Sequence, residues 1–150
     1  MRALEIIDLK RYPEKTEEVA KMIVNAWPEL YQVESMVQTL KQDDYILKTL
    51  IATLNGKLIG TVSLVKHQLN IKHRTPWVAW LVIKEEHQYN GLGTKLLSKI
   101  ITNAKEMGYE ELYLYTSSAG KFYQKNNWDL LMTIEDNKRI IEIYHKDILN

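Results

Sequence analysis

Apolar residues recur with the period of an α-helix in two long parts of the chain. In Lys15 to Trp27 they follow the i, i+3, i+4, i+7 spacing of a helix that buries one face, at Val19, Met22, Ile23 and Ala26. Leu92 to Met107 carries a similar stripe, and Gly108 follows it as a natural helix end. We therefore predict helices over both stretches. Shorter helices are predicted over Val33 to Lys41 and from a Ser117 or Ser118 cap to about Lys125.

Other apolar runs have the length and the β-branched content of strands. Tyr45 to Leu54 and Leu58 to Lys66 flank Asn55-Gly56, the strongest short hairpin signal in the sequence. Trp77 to Ile83 is apolar throughout, as is typical of a strand that is buried on both faces. Further strands are predicted at Ala3 to Leu9, at Glu111 to Thr116, and in a terminal hairpin made by Trp128 to Thr133 and Arg139 to Lys146.

The predicted order of elements is β-α-α-β-β-β-α-β-α-β-β. Because no linker, repeat or low-complexity tract interrupts it, we expect one domain over residues 1–150. The strand-helix-strand unit from Trp77 to Thr116 predicts a right-handed parallel crossover. The terminal hairpin, Trp128 to Lys146, should complete the sheet, and it is a candidate for contacts in a homodimer.

Composition narrows the class of protein. The chain is 45% hydrophobic and 26% charged, which is typical of a globular domain. Its 20 basic and 19 acidic residues give a net charge of +1, which provides no strong field for nucleic acid or for an anionic membrane. The absence of cysteine excludes a disulfide framework and a thiol nucleophile, and it fits a reducing compartment. No apolar run is long enough to span a bilayer, so we expect a cytoplasmic protein.

The candidate chemistry lies between the strand ending at Ile83 and the helix beginning at Leu92. Backbone N–H groups at a helix start are unpaired and carry partial positive charge, which suits a pyrophosphate. Gly91 and Gly93 leave room for phosphate oxygens to approach the backbone. A P-loop does not fit, since the order is Gly93-Thr94-Lys95, and the dinucleotide fingerprint needs glycine where Leu96 stands. The four histidines are scattered without metal-ligand spacing, so we expect no metal site.

The loop resembles the acetyl-CoA signature of the GNAT superfamily of N-acetyltransferases. Its Gln/Arg-x-x-Gly-x-Gly/Ala pattern corresponds to Gln88-Tyr89-Asn90-Gly91-Leu92-Gly93, between an apolar strand and an amphipathic helix. Phe122-Tyr123 and the following Asn127-Trp128 look like the family's FY-x-x-x-G-W/F ending. Tyr89 and Asn127 stand where the family often has glycine, and asparagine tolerates the left-handed conformation. The resemblance is close from Trp77 to Leu131.

The resemblance implies a fold and an activity. The fold is an α/β (α+β) single domain, with a mixed, mostly antiparallel sheet of six to seven strands and about four helices. The activity is transfer of an acetyl group from acetyl-CoA to a primary amine of a small molecule or peptide, by direct attack in a ternary complex. In this family the strands that correspond to Trp77 to Ile83 and Glu111 to Thr116 diverge, and the cofactor occupies the gap.

The resemblance also implies roles for individual residues. The backbone of Leu81, Val82 and Ile83 should pair with the pantetheine arm. The residues implied to hold the pyrophosphate are Gln88, Tyr89, Asn90, Gly91, Leu92, Gly93 and Thr94. An N–H near Val82 or Ile83 could serve the oxyanion. Tyr123 matches the tyrosine that donates a proton to the departing sulfur, as a phenol with a pKa near 10 can do.

Several alternatives stay open. Tyr123 could instead be a packing residue, although Phe122, about 100° away on the helix, is the better candidate for the core. Glu85 and Glu86 could relay the amine proton, but solvated loop charges are more common. Core packing is expected for Trp80, while Trp27 to Tyr31 lies where the family usually builds its acceptor site.

Two other functions remain. The chain could bind acetyl-CoA without turnover, as a regulatory module. A flavodoxin-like nucleotide binder is disfavoured by the two hairpins, because doubly wound sheets alternate strand and helix throughout.

Overall fold

The computed structural model describes residues 3–149. Its strands are β1 (Leu4–Asp8), β2 (Ile46–Leu54), β3 (Lys57–Val65), β4 (Trp77–Ile83), β5 (Glu111–Thr116), β6 (Asp129–Asp136) and β7 (Arg139–Asp147). Its α-helices are α1 (Thr16–Ala26), α2 (Val33–Leu40), α3 (Leu92–Glu106) and α4 (Gly120–Lys125). All seven strands form one sheet in the order β1-β2-β3-β4-β5-β7-β6. Only β4 and β5 are parallel, so the prediction of a mixed, mostly antiparallel sheet with four helices is confirmed.

Both predicted hairpins are present. Asn55 and Gly56 lie at φ 53° and 83°, the left-handed values that a tight two-residue turn between twisted strands requires. They join β2 to β3, with Leu54 opposite Lys57. In the terminal hairpin a turn at Asn137 and Lys138 joins β6 to β7, and β7 pairs with β5. The terminal hairpin therefore completes the sheet, as predicted, and β6 forms its edge.

The helices cover the two faces of the sheet. On one face, α1 and α2 pack against Trp77, Ala79, Trp80 and Tyr113. On the other, α3 and α4 pack against Val78, Leu112, Leu114, Trp128 and Tyr144. The apolar stripe of α3 is fully buried at Leu96, Ile100 and Ala104, and burying one such large aliphatic side chain stabilises a fold by about 1.5–3 kcal/mol. Among residues 3–149, no helix has the length and apolar character needed to cross a membrane.

The start of α4 differs from the prediction. A Ser117 or Ser118 cap is wrong, because the N-cap is Ala119 and no side chain caps the helix. Instead, Thr116 at the end of β5 folds over the connection: its Oγ1 accepts hydrogen bonds from the N–H groups of Ser118 (3.2 Å) and Ala119 (2.9 Å). Asn127 ends this segment at φ 68°, in the left-handed conformation predicted for it.

A seam opens in the middle of the sheet. β4 and β5 pair only where Trp77 lies opposite Tyr113. Beyond that point β4 contains a bulge: Ala79 lies opposite Ser63 and Val82 opposite Thr61, so two residues of β4 face one of β3. Trp80 in the bulge has φ 57°. Because a bulge bends its strand, β4 leaves β5 and a gap forms between them.

Candidate active site

A cavity of about 130 Å³ lies in the gap between β4 and β5. Trp80 and Leu81 of β4 and Tyr115 of β5 form two of its walls. The other walls come from both faces of the sheet. Trp27 and Tyr31 contribute from the side of α1 and α2, and Ala119 and Tyr123 contribute from the side of α3 and α4. The cavity therefore connects the two faces of the sheet.

The end of β4 presents backbone hydrogen-bonding groups to this gap. The Lys84 N–H donates to the carbonyl of Ile59 on β3 at 2.9 Å. Since neighbouring residues of a strand point their backbone groups to opposite edges, Ile83 turns its N–H and C=O away from β3. Val82, opposite Thr61, turns its own toward β3. Of the two residues considered for the oxyanion, Ile83 is the one whose N–H faces the gap.

The Gln88 side chain joins the loop to the strand. Its Nε2 donates to the Ile83 carbonyl at 2.9 Å, from an exposed position. Glu85–His87 forms one turn of 3₁₀-helix between them. The sequence pattern concerned the backbone of Gln88 only, and the structure adds that its side chain holds the first residue of the signature against the end of β4.

The loop leads into α3 with its first amides unpaired. Tyr89 and Gly91 lie at φ 66° and 82°, and Gly91 is the N-cap of α3. Glycine has no side chain to accept hydrogen bonds, and within the described chain no side chain caps this helix. The N–H groups of its first turn therefore remain available to an anion. Gln88, Tyr89, Asn90, Gly91 and Thr94 are exposed, whereas the Leu92 side chain is buried in the core.

The two signature glycines are needed for different reasons. Gly91 has a left-handed backbone that L-residues rarely adopt. At Gly93 a Cβ would lie 3.3 Å from Cζ of Phe122, because the ring of Phe122 packs on the helix start. A side chain would therefore strain the backbone at Gly91, and at Gly93 it would require the ring of Phe122 to shift by a few tenths of an ångström.

Tyr123 lines the cavity from α4. Its ring contacts Phe122, Trp128 and Tyr144, and only 9% of the residue is exposed. Within residues 3–149 its hydroxyl has no hydrogen-bond partner. Burial raises the pKa of Tyr123 to about 12, so the phenol keeps its proton at neutral pH and is available as a donor.

The expected burial of Phe122 in the core is wrong, because Phe122 is half-buried while Tyr123 is buried. Tyr123, which was expected to face the cleft, does line the cavity. Phe122 covers the start of α3, while Tyr123 inserts against Trp128 and Tyr144.

Aromatic side chains form the wall on the side of α1 and α2. The ring of Tyr31 makes edge-on contacts with Trp27 on one side and with Trp80 on the other. Trp80 Nε1 donates a hydrogen bond to the Tyr31 hydroxyl at 3.2 Å. Burial, together with a hydrogen bond to Tyr31, raises the pKa of Tyr115. Burial and the nearby Tyr31 raise the pKa of Tyr45 to about 12. Trp80 is buried, as expected, and it also lines the cavity.

Acidic side chains lie elsewhere. Glu85 and Glu86 are exposed and line a second surface cavity, which also borders Val82, Ile83 and Gln88 of the site and Glu18 and Lys21 of α1. Their exposure agrees with the interpretation of Glu85 and Glu86 as solvated loop charges. In the described part of the chain no group of three or more His, Asp or Glu side chains is placed to hold a metal ion.

Sequence reasoning missed Tyr115 and Arg139, which also line the cavity. Tyr115 lies two residues after the buried Tyr113 on β5, so both side chains are on the same face of the sheet. Arg139 likewise shares its face of β7 with Ile141 and Ile143, which are both fully buried against α1 and α2. A polar residue in phase with buried apolar positions was the available signal.

The family follows from a comparison with known sequences. The model of the acetyltransferase (GNAT) family matches residues 16–128, most of the chain. The chain therefore belongs to the GNAT acetyltransferases, and its enzyme class is that of the acyltransferases. No curated protein matches it.

Solved structures share the fold across the full length. An aminoglycoside 6′-N-acetyltransferase complexed with coenzyme A has a TM-score of 0.82 at 15% identity, covering 97% of this chain and 98% of that one. The aminoglycoside 6′-N-acetyltransferase from Enterococcus faecium has a TM-score of 0.80 at 16% identity, covering 97% and 98%. An acetyltransferase of the GNAT family from Streptococcus pneumoniae has a TM-score of 0.73 at 24% identity, covering 96% and 98%.

Proposed function

We propose that this protein transfers an acetyl group from acetyl-CoA to a primary amine of a small molecule or peptide. The observation that carries the proposal is the seam between β4 and β5. The loop after β4 leads to an uncapped helix start, the Ile83 N–H faces the seam without a strand partner, and an unpaired phenol lines its cavity. The amides of residues 88–94 would hold the pyrophosphate, and the edge of β4 at Leu81 and Ile83 would bind the pantetheine arm as a neighbouring strand would. The backbone of Val82, which was also expected to pair with this arm, faces β3 instead.

The chemistry needs few side chains once both substrates are in the cavity. The neutral amine nitrogen attacks the thioester carbonyl carbon, the carbon–sulfur bond breaks, and the sulfur leaves with its electron pair. Tyr123 donates its proton to that sulfur. The Ile83 N–H, which faces the gap, is the candidate donor to the oxyanion. The amine proton leaves through water, since the cavity itself has no carboxylate among the described residues and the exposed Glu85 and Glu86 line the surface cavity at Val82 and Ile83.

The size of the cavity favours a small amine or the end of a larger molecule. Its volume of about 130 Å³ resembles that of engineered cavities that hold a benzene-sized ligand. Two of the similar structures are named as aminoglycoside acetyltransferases, which are enzymes with small-molecule acceptors. A homodimer through the terminal hairpin also stays a prediction, with Leu130 and Ile140 exposed there.

Cofactor binding can be tested without perturbing the glycines. Thr94 is exposed in the first turn of α3, where glutamate suits the helix dipole but would repel a pyrophosphate. We expect Thr94→Glu to weaken acetyl-CoA binding at least tenfold by calorimetry without lowering the melting temperature. Thr94→Gln, the uncharged control, should bind nearly as well as the wild type. Equal binding by the two variants would contradict a pyrophosphate site at this helix.

Turnover separates the enzyme from a regulatory module that only binds acetyl-CoA. Tyr123→Phe removes the hydroxyl and keeps the ring. Since general acids contribute about 10²- to 10⁴-fold, the single-turnover rate should fall within that range while the acetyl-CoA affinity stays unchanged. An undiminished rate would make Tyr123 a packing residue. Binding without thiol release for any amine would favour the regulatory module.

A further inference from the structure

Among residues 3–149, the cavity between β4 and β5 is lined by one charged side chain, which is a cation. Among the described residues that line the cavity, Arg139 is the only charged one, and no aspartate or glutamate is present. A neighbouring surface cavity shares Tyr31, Gln68 and Trp80 with it, and no described acidic residue lines that cavity either. Within these two cavities an acceptor with several positive charges would meet a cation and no carboxylate among the described residues, whereas Glu85 and Glu86 line the surface cavity at Val82 and Ile83.

Arg139 has no acidic partner in the described chain, and the group its charge is shown to act on is the Tyr115 phenol beside it. Arg139 makes no ion pair within residues 3–149, and Asp136, opposite it across the turn between β6 and β7, does not pair with it. Its Nε is buried and lacks a hydrogen-bond acceptor. A buried guanidinium donor without an acceptor is unfavourable, so this position suits a ligand that brings an anionic oxygen.

The position of Arg139 agrees with binding of the acceptor. It begins β7, and alternation places it on the same face as Ile141 and Ile143, toward α1 and α2. Tyr123 reaches the same cavity from the opposite face of the sheet. An acceptor between them could direct its amine toward the thioester and its anionic group toward the guanidinium.

We propose that the acceptor is a primary amine that also carries a carboxylate, and that Arg139 binds this carboxylate. The inference rests on the proposed acetyl transfer and names its substrate class. The planar guanidinium can hold a carboxylate through two parallel hydrogen bonds. The small cavity favours an amine and a carboxylate separated by few bonds, as in an amino acid.

The test compares amines in matched pairs. Glycine, β-alanine and phenylalanine are each assayed against the corresponding carboxamide by thiol release, at equal concentrations of neutral amine. We expect the wild type to prefer each acid by at least tenfold in kcat/KM for one or more pairs. Arg139→Gln should remove the preference, Arg139→Lys should keep part of it, and Arg139→Glu should favour a diamine. Lys138→Gln, which removes the same charge from the adjacent exposed position, should keep the preference.

A binding readout supports the kinetic one. The ¹⁵Nε signal of Arg139 should shift when N-acetyl-β-alanine is added to the CoA-bound protein, and it should not shift with the matching amide. Equal rates for acids and carboxamides, or an unchanged preference in Arg139→Gln, would overturn this inference while leaving acetyl transfer intact. Failure of every variant and the wild type to bind acetyl-CoA would overturn the proposed function, and this inference with it.

Discussion

At the residue scale, Tyr89 is held in an unfavourable conformation without a compensating contact. It lies at φ 66°, and 99% of it is exposed. A left-handed backbone costs an L-residue about 1–2 kcal/mol, whereas glycine loses about 0.5–1 kcal/mol through its greater freedom in the unfolded chain. We therefore expect Tyr89→Gly to raise the free energy of unfolding by up to about 1 kcal/mol in urea titrations.

The matched control at this position is Tyr89→Ala, which keeps the strain and removes the ring. It should not be stabilised, and a gain equal to that of glycine would show that backbone strain is not the cause. Acetyl-CoA affinity should be retained in Tyr89→Gly, because the loop amides rather than the phenol ring are proposed to bind the phosphates.

Tyr123 gives a prediction for the pH dependence of the reaction. Burial raises its pKa to about 12, so its donor proton is present throughout the usual assay range and is lost only as the pH rises toward that value. The single-turnover rate should rise with pH as the acceptor amine loses its proton, and it should show no fall caused by Tyr123 up to about pH 10.5. Tyr123→Phe should show a lower rate with the same profile. A fall near pH 10 in the wild type that disappears in the variant would contradict the raised pKa.

At the scale of single elements, the edge of β4 yields a test at two neighbouring amides. The Val82 N–H faces β3, whereas the Ile83 N–H faces the open gap. Hydrogen exchange followed by NMR should therefore be slow at Val82 with or without ligand. At Ile83 it should be fast in the free protein and slow once acetyl-CoA is added. Protection of Ile83 in the free protein would show that its amide already has a partner, and the proposed strand-like binding would be wrong.

Local signals predicted most of these elements. Asn55-Gly56 determined the first hairpin because two left-handed residues are needed there, and the apolar stripe of α3 determined its buried face. The bulge at Trp80 could not be predicted, since Trp77 to Ile83 is uniformly apolar and Trp is a poor residue for positive φ. The reversed burial of Phe122 and Tyr123 also escaped prediction, because it depends on the contact of α4 with Gly93 in another helix.

At the scale of the whole molecule, the seam divides the sheet into two parts, β1 to β4 and β5 with β7 and β6. The order of elements was sufficient for the fold, and the signature was sufficient for the candidate cofactor side. The resemblance placed Trp27 to Tyr31 on the proposed acceptor side, but sequence could not join them to Tyr115 and Arg139, which come from distant segments that meet only in the folded sheet. The site thus depends on both parts keeping their relative positions.

A side-chain pair between Glu111 and His145 joins β5 to β7 in the second part of the sheet, and its contribution to the stability of the protein should depend on pH. The His145 Nδ1 lies 2.6 Å from Glu111 Oε2, and the Tyr113 hydroxyl donates to Oε1, linking β5 and β7. The hydrogen bond from His145 is the main cause that lowers the pKa of Glu111 below its ordinary 4.5. A carboxyl whose pKa is lowered in the folded state stabilises the fold above its unfolded pKa, and the contribution is lost as the pH falls through the lowered value.

We therefore expect Glu111→Gln to destabilise the protein near pH 6 and the difference from wild type to shrink below pH 4.5. Because the two side chains are 32% and 41% exposed, the loss should be no more than about 1 kcal/mol. Urea unfolding near pH 6 and again below pH 4.5 measures this difference in the free energy of unfolding. Glu110→Gln, at the exposed neighbouring position, is the control, and its free energy of unfolding should remain close to that of the wild type at each pH. A difference for Glu111→Gln that does not change with pH would mean that packing, rather than the charge of Glu111, joins these strands.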